Sequence, residues 1–449
     1  MRATDSDRKR VLVVSYYFPP SGGPGVQRIL KFVKYLPEFG FDPAVLTVAE
    51  GDYPARDESL LREIPPKVPV LRTRIPEPYG LYRKLTGKKK GSAVDVNVNR
   101  PRGQRVATSE RMAEWVRGML FVPDARVGWL LTGVKPGIRF ARDVGADIVY
   151  SSSPPYTCAL LGRSIARGAG IPWVPELRDP WTEFLSAPRR PEPARGFDRR
   201  LEQSVYHDAP RLVIAWSGIA ADLRGKYPHE DAAKFRLVPN GYDPEDVSGV
   251  NPVHNSRFTI VYTGSLYGVR NPETFLDAVG RLLARGELDP DRVRIRFIGR
   301  FGEEVRAMFR RPDVAGVVEE RGYVPHAESV AELLGAQALL LVVDDVPGSE
   351  HIVPGKVFEY LGAKRPVLAV GPDGDVAGLV RSIGAGRVLA RQDVDGIGNA
   401  ILELYREWLA TGKTEYRGDL EMTERQSRRE RARDLAGVLD EVLKERHGA

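Results

Sequence analysis

A strand that runs into a glycine-bearing loop and then a helix occurs twice in this 449-residue chain, and no other feature constrains the fold as much. The first copy has an apolar run at 10–15, the loop Ser21-Gly22-Gly23-Pro24-Gly25, and a helix expected over 26–36 that Pro37 and Gly40 should end. The second begins near Arg257 with the strand FTIVYTGSL and continues into a helix expected over 272–284. Between and after them, strands are expected at 43–48, 68–72, 147–151, 172–177, 213–215, 293–299, 338–343 and 366–370. Helices are expected from Pro154 through 167, and over 202–208, 220–227 and 424–445. This alternation predicts an α/β architecture, and the length is about two to three times that of a usual single domain.

Glycines let a backbone approach a ligand closely, and a helix start favours negative charge. Gly22, Gly23 and Gly25 are therefore candidates to receive a phosphate or an acceptor, with a tight strand-to-helix turn as the competing reading. The spacing is not G-x-G-x-x-G, which gives a dinucleotide oxidoreductase little support. The late stretch HIVPGKVFEYLGAKRPV predicts a turn at Pro354-Gly355 and a helix over 356–363. Val357, Tyr360 and Leu361 form its apolar stripe, while Lys356 and Glu359 share another face. Such a helix start can hold an anion such as a diphosphate, and Glu359 can accept from a ribose diol. Against this stands the plainer reading of a glutamate that complements the helix dipole and a solvated lysine. Glu176-Leu177-Arg178-Asp179-Pro180-Trp181 closes another strand, where an open parallel sheet places ligand groups. An Arg178–Asp179 pair that supports a turn is the alternative there.

Net charge is +7, and its distribution matters more than its total. Basic residues crowd 71–110, with a Gly-broken middle, GKKKGSAVDVNVNRPRGQR, that reads as a loop rather than a DNA-reading helix. An amphipathic helix is expected over 109–119, and with Trp115, Leu120, Phe121 and Trp129 the region suits an anionic membrane surface, unless those aromatics are core. The lone Cys158 excludes an internal disulfide framework and reads as a core residue. The short apolar run near the N-terminus is stopped by Pro19-Pro20 and does not read as a signal peptide. Asp373-Gly374-Asp375 and Asp393-Val394-Asp395 have D-x-D spacing but fall in polar loops, and the six histidines lack ligand spacing, so no metal site is expected.

PGKVFEYLGAKRPV resembles the nucleotide-sugar motif of the family 4 (group 1) glycosyltransferases, enzymes of the GT-B fold. In chain order, YYFPPSGGPGVQRILKFVKYL resembles their first glycine loop and helix, LVPNGYD their domain-linking motif, and VYTGSLYGVRNPETFLDAV the opening of their second domain. The resemblance implies two Rossmann-like domains facing an interdomain cleft. The first, 1–248, would serve the acceptor and carry the basic insertion near 80–110; the second, 256–424, would bind the nucleotide sugar; the helix 425–449 would cross back to the first. Arg270 falls where the family has a lysine or arginine that neutralises the diphosphate, whereas Ser265 occupies a position often taken by a second basic residue, for which Arg300 is a candidate substitute. The family's E-x7-E pattern would put its first glutamate at 351, where this chain has His351 beside Glu350; the second, Glu359, is intact.

The resemblance thus implies catalytic roles for Arg270, Asp179, Glu350 and His351, and donor contacts from Glu359, Lys356, Gly355, Gly264, Arg300, Tyr323, Gly22 and Gly23. The implied reaction is retaining transfer of a sugar from a nucleotide-diphosphate sugar to a hydroxyl acceptor, a glycan or a lipid-linked molecule, in cell-surface polysaccharide or glycolipid assembly. No cofactor beyond the donor and no nucleic-acid partner are expected. The place of action would be the cytoplasm, at the inner face of the membrane. Two alternatives remain: a GT-B nucleotide-sugar epimerase, and a non-catalytic nucleotide- or polysaccharide-binding protein.

Overall fold

The computed structural model describes residues 8–53, 55–76, 118–119, 121–183, 190–346 and 348–448. The chain divides into two units, Met1–Pro239 with Arg431–Ala449, and Asn240–Glu430. The expected basic loop, and the expected helix over 109–119 apart from 118–119, lie outside the described residues.

The first unit is built on a seven-stranded sheet with strands β1 (Lys9–Val14), β2 (Phe41–Val48), β3 (Val70–Thr73), β4 (Ile148–Ser153), β5 (Trp173–Leu177), β6 (Leu212–Ile214) and β7 (Phe235–Leu237). Their order is β3-β2-β1-β4-β5-β6-β7, and all pairings are parallel. Parallel neighbours need crossovers, which bury both sheet faces and explain near-continuous apolar runs such as Val11–Val14. Residues from the last helix, Ala432, Leu435, Leu439 and Leu443 among them, pack in one apolar cluster with Val11, Val13, Ile29 and Val33 of this unit.

The second unit has β8 (Phe258–Leu266), β9 (Val293–Phe301), β10 (Val318–Arg321), β11 (Ala338–Val342), β12 (Val367–Val370) and β13 (Gly386–Leu389), in the order β10-β9-β8-β11-β12-β13 and again parallel. In each sheet the winding direction reverses once, between β1 and β4 and between β8 and β11. Open α/β sheets bind ligands outside the carboxyl ends of the strands at such reversals.

The Pro24–Tyr35 α-helix ends before Pro37, as expected; the chain then tightens into a 3-10 turn, Leu36–Phe39, because proline fits the first turn of a new helical segment, and Gly40 at φ 85° ends it. Two local readings of the sequence are corrected. A helix Trp129–Asp143 lies where none was expected. Pro136, Gly133 and Gly137 disguised it; the two glycines face Leu161 and Ile165 of the neighbouring Thr157–Ala169 helix, and their missing side chains permit the close packing. The helix expected over 202–208 starts ten residues earlier and runs Glu192–Asp208.

Trp129 is fully buried and donates from Nε1 to Thr73 Oγ1 at 2.7 Å. It is therefore core and presents nothing to a membrane, while Phe121 is half-buried. Trp115 lies outside the described residues. Among the described residues, no helix is long and apolar enough to cross a membrane.

Candidate functional site

In the second unit the reversal point gathers side chains from three segments. β8 ends in Gly264-Ser265-Leu266, and its pleated neighbour β9 sets Gly299 opposite Gly264. Gly264 has φ 118° and Gly299 φ 144°, and a Cβ on Gly299 would collide with the Gly264 carbonyl oxygen, so both positions require glycine. A Cβ on Gly264 would stand 2.5 Å from Lys356 Nζ. Lys356 opens the Lys356–Ala363 helix, whose buried Val357, Phe358, Tyr360 and Leu361 fasten it to the sheet. Tyr360 helps fix the register by accepting at its hydroxyl from the Thr263 amide at 2.9 Å. Lys364 then takes a left-handed conformation and stops the helix before Pro366.

Lys356 Nζ donates to the Tyr262 hydroxyl at 2.6 Å and lies 4.1 Å from the centre of the Tyr262 ring. That hydroxyl donates in turn to the Ser265 carbonyl at 3.0 Å. Burial, and then the positive charge of Arg270, bring the Lys356 ammonium down to about 7, although Glu359 and Asp344 oppose the shift. Arg270 is held side-on by Asp344, with Nε donating to Oδ1 at 2.8 Å and Nη2 to Oδ2. Asp344 follows β11, and Ser349 Oγ donates to its carbonyl at 2.7 Å, which ties it to the turn before the helix. Two cations thus meet at the ligand-binding end of this sheet.

Glu359 lies one turn further along the same helix and is half-buried. Burial raises its carboxyl above the ordinary value, against the nearby charges of His326 and Arg428. His326 contacts Asp246 at 3.2 Å, and this hydrogen bond, despite burial, raises its imidazole. Gly355 caps the helix start and is exposed. His351 Nδ1 stands 3.5 Å from Asp375, and the Glu350 carbonyl accepts from the Asp375 amide at 2.8 Å, so both belong to the loop that packs on the Asp375–Ile383 helix. Arg300 is exposed and lies over the Tyr323 ring at 5.5 Å; Tyr323 is itself 75% exposed. Both D-x-D pairs have structural partners: Asp373 with Arg381 at 2.5 Å, Asp393 capping Gly396 N at 2.8 Å, and Asp395 with Arg281 at 3.4 Å.

Residues 257–407 match the family described as Glycosyl transferases group 1. The second unit is a group 1 glycosyltransferase domain. Solved structures show the same fold over nearly the whole chain. A glycosyltransferase from Rickettsia africae has a TM-score of 0.54 at 12% identity, covering 98% of this chain and 97% of that one. An α,α-trehalose-phosphate synthase (UDP-forming) from Burkholderia xenovorans gives 0.58 at 12%, covering 96% and 100%. TarM from S. aureus, solved with UDP and glycan ligands, gives 0.56 at 8%, covering 97% and 99%. No curated protein matches by sequence. The transferase therefore has the GT-B pair of Rossmann-like domains.

In the transferase's first unit, the reversal point joins two stretches that are far apart in sequence. Arg178, just past β5, donates from Nη1 to the Gly25 carbonyl at 3.0 Å and from Nη2 to the Pro154 carbonyl at 2.5 Å. A Cβ on Gly25 would stand 2.6 Å from that guanidinium. Arg178 is thus a tie between the glycine loop and the segment after β4, and its hydrogen bonds go to carbonyls rather than to the Asp179 carboxylate. Asp179 is exposed. Gly23, at φ 98°, opens the first helix, and Gly22 N donates to Ala55 O at 2.9 Å, so the latter amide is already engaged. Glu176 is fully buried and has no access to a ligand: Arg28 Nη2 lies 2.6 Å away, and Ser152 Oγ donates to its other oxygen at 2.5 Å.

Sequence reading missed Asp344, Tyr262, His326 and Arg28. An acidic residue directly after the wholly apolar strand ALLLV was the available signal for Asp344. Nothing local marked the other three.

Proposed function

We propose that the transferase moves a sugar, with retention at the anomeric carbon, from a nucleotide-diphosphate sugar held by the second unit to a hydroxyl acceptor taken by the first. The observation that carries this reading is the meeting of Arg270 and Lys356 at the sheet's reversal point, beside a helix start. The hard step is departure of the nucleoside diphosphate from an oxocarbenium-like sugar, so fixed positive charge at the leaving oxygens supplies most of the rate. The anomeric carbon loses its bond to the diphosphate oxygen and gains one to the acceptor oxygen on the same face, while the acceptor proton goes to the leaving phosphate. No nucleophile from the protein is required. Glu359 is assigned to the ribose hydroxyls, and Glu350 or His351 to the sugar, from a loop that departs from the family spacing. A glycan or lipid-linked acceptor, with a role in cell-surface polysaccharide or glycolipid assembly, is the accompanying assignment. A cytoplasmic setting is part of the same proposal.

Mass spectrometry of reactions that combine UDP-, GDP- and ADP-sugars with lipid-linked and polysaccharide acceptors tests the reading. An acceptor that gains one sugar mass supports transfer. A donor changed without any acceptor selects an epimerase, and binding without turnover over the whole panel selects a non-catalytic protein.

Glu359→Gln keeps shape but loses the charge that strengthens both ribose contacts. Donor affinity should fall about ten- to a hundredfold, the equivalent of about 1.5 to 3 kcal/mol. Calorimetry with the cognate nucleoside diphosphate and its 2'-deoxy form is the check. The parent should discriminate against the deoxy ligand and the variant should not; equal discrimination in both removes Glu359 from the donor site.

A further inference from the structure

The second unit places a cation where the family pattern leaves a gap. Ser265 stands at the position that often holds a second basic residue, and its carbonyl is taken by the Tyr262 hydroxyl. Arg300, opposite Ser265 in β9, is exposed and covers Tyr323. Lys356 instead reaches across from the start of its helix to the spot above Gly264, where the absence of a Cβ leaves room for its ammonium. Its ammonium lies against the Tyr262 ring, 4.1 Å from the ring centre, and one N–H is directed to that hydroxyl. An ammonium has three N–H groups. Among the described residues no second hydrogen-bond partner and no ion pair engages the others, although the group is well shielded from water. A buried amine with unsatisfied donors is costly unless a ligand completes it.

We propose that Lys356 supplies the second positive charge on the donor diphosphate, in place of the residue missing at Ser265, and that it takes up a proton as the donor binds. The inference rests on the donor-binding reading above. The groups that face this amine are Tyr262 from β8, Arg270 just after it, Asp344 after β11, and Glu359 on its own helix. Burial and Arg270 bring the amine down to about 7, so at pH 8 it is mainly neutral. Two phosphate charges beside it restore the ammonium, as an opposite charge at close range favours the charged form.

The experiment titrates UDP-glucose, GDP-mannose and ADP-glucose into the full chain by calorimetry, in buffers of different ionisation enthalpy. The diphosphate of a sugar nucleotide has no ionisation near neutrality, so the counted protons belong to the protein. The parent should take up about one proton per site at pH 8 and far less at pH 6. Lys356→Met should abolish the uptake and weaken binding about ten- to a hundredfold. Its melting temperature should not fall, because a buried amine is replaced by an apolar side chain of similar length, which separates loss of the charge from misfolding. If the parent binds a donor without proton uptake, or Lys356→Met binds as tightly with uptake intact, the inference fails while the donor reading stands. If the parent binds none of the three, the donor reading fails and this inference with it.

Discussion

Arg270→Ala is expected to slow sugar transfer about 100- to 1,000-fold at every donor concentration, the equivalent of about 3 to 4 kcal/mol of transition-state stabilisation. The negative charge that develops on the leaving diphosphate is largest in the transition state, so a preorganised guanidinium acts on turnover more than on donor affinity. Asp344 is what preorganises it: the carboxylate grips one edge of the guanidinium, through Nε and Nη2. Asp344→Asn should therefore give a smaller loss of the same kind, since the amide keeps one acceptor but frees the guanidinium to swing. Steady-state kinetics with the donor selected by the product screen, with circular dichroism as a folding control, decides the matter. A well-folded Arg270→Ala enzyme that turns over at the parental rate removes Arg270 from the chemistry.

Arg28→Met should destabilise the first unit by about 3 to 5 kcal/mol, the usual cost of leaving one partner of a buried pair uncompensated. Arg28 and Glu176 have side chains 3% and 0% exposed, and Arg28 also donates to the Val238 and Pro239 carbonyls at 2.6 and 2.7 Å. In the parent, burial pushes the Glu176 carboxyl up, but the Arg28 charge and hydrogen bonds with Arg28 and Ser152 more than offset it, so the group titrates below its ordinary 4.5. Its contribution to stability is thus present above pH 4.5 and is lost as pH falls through the lower folded value. Without Arg28 the sign should reverse: burial then outweighs the Ser152 hydrogen bond and the Arg178 charge that remain, the native state holds the proton more tightly than the unfolded one, and mild acidification should stabilise the variant relative to pH 7. Thermal melts of parent and variant between pH 4 and 7 would show the two trends. A variant that melts within a degree or two of the parent at pH 7 would contradict a structural role for the pair.

The two predictions separate functions that the sequence presents alike. Glu176, Arg178 and Asp179 are adjacent in one motif at the end of β5, and all three looked equally able to meet a ligand. Glu176 and Arg178, two residues apart, both turn towards the segment that holds the glycine loop and first helix, Glu176 to the buried Arg28 and Arg178, just past the end of β5, to the Gly25 carbonyl, while Asp179 is exposed. Which of them is sealed off depends on what packs over that side of the sheet, and no short stretch of sequence states that. The Trp129–Asp143 helix illustrates the same limit. Its glycines and proline are unfavourable locally, and only the neighbouring Thr157–Ala169 helix, packed against them, makes the segment helical.

What the sequence determined by itself was the succession of elements. Apolar runs such as Val11–Val14 and Ala338–Val342, punctuated by glycine and proline, mark the central strands of both sheets, because a strand buried on two faces has to be apolar, whereas Phe235–Leu237, Val318–Arg321 and Gly386–Leu389, at the sheet edges, carry polar residues and went unmarked. The Lys356–Ala363 helix was legible to the residue, since Pro354 and Gly355 open it and Pro366 forbids its continuation. Partnership was decided only by tertiary structure. Arg270 and Asp344 are 74 residues apart and Tyr262 and Lys356 are 94 apart. They meet because the sheet reverses its winding between β8 and β11, which are neighbours in space but not in sequence. The lowered affinity of Lys356 for its proton is likewise a property of the fold, since burial and a neighbouring guanidinium produce it and neither is written in the residues beside it.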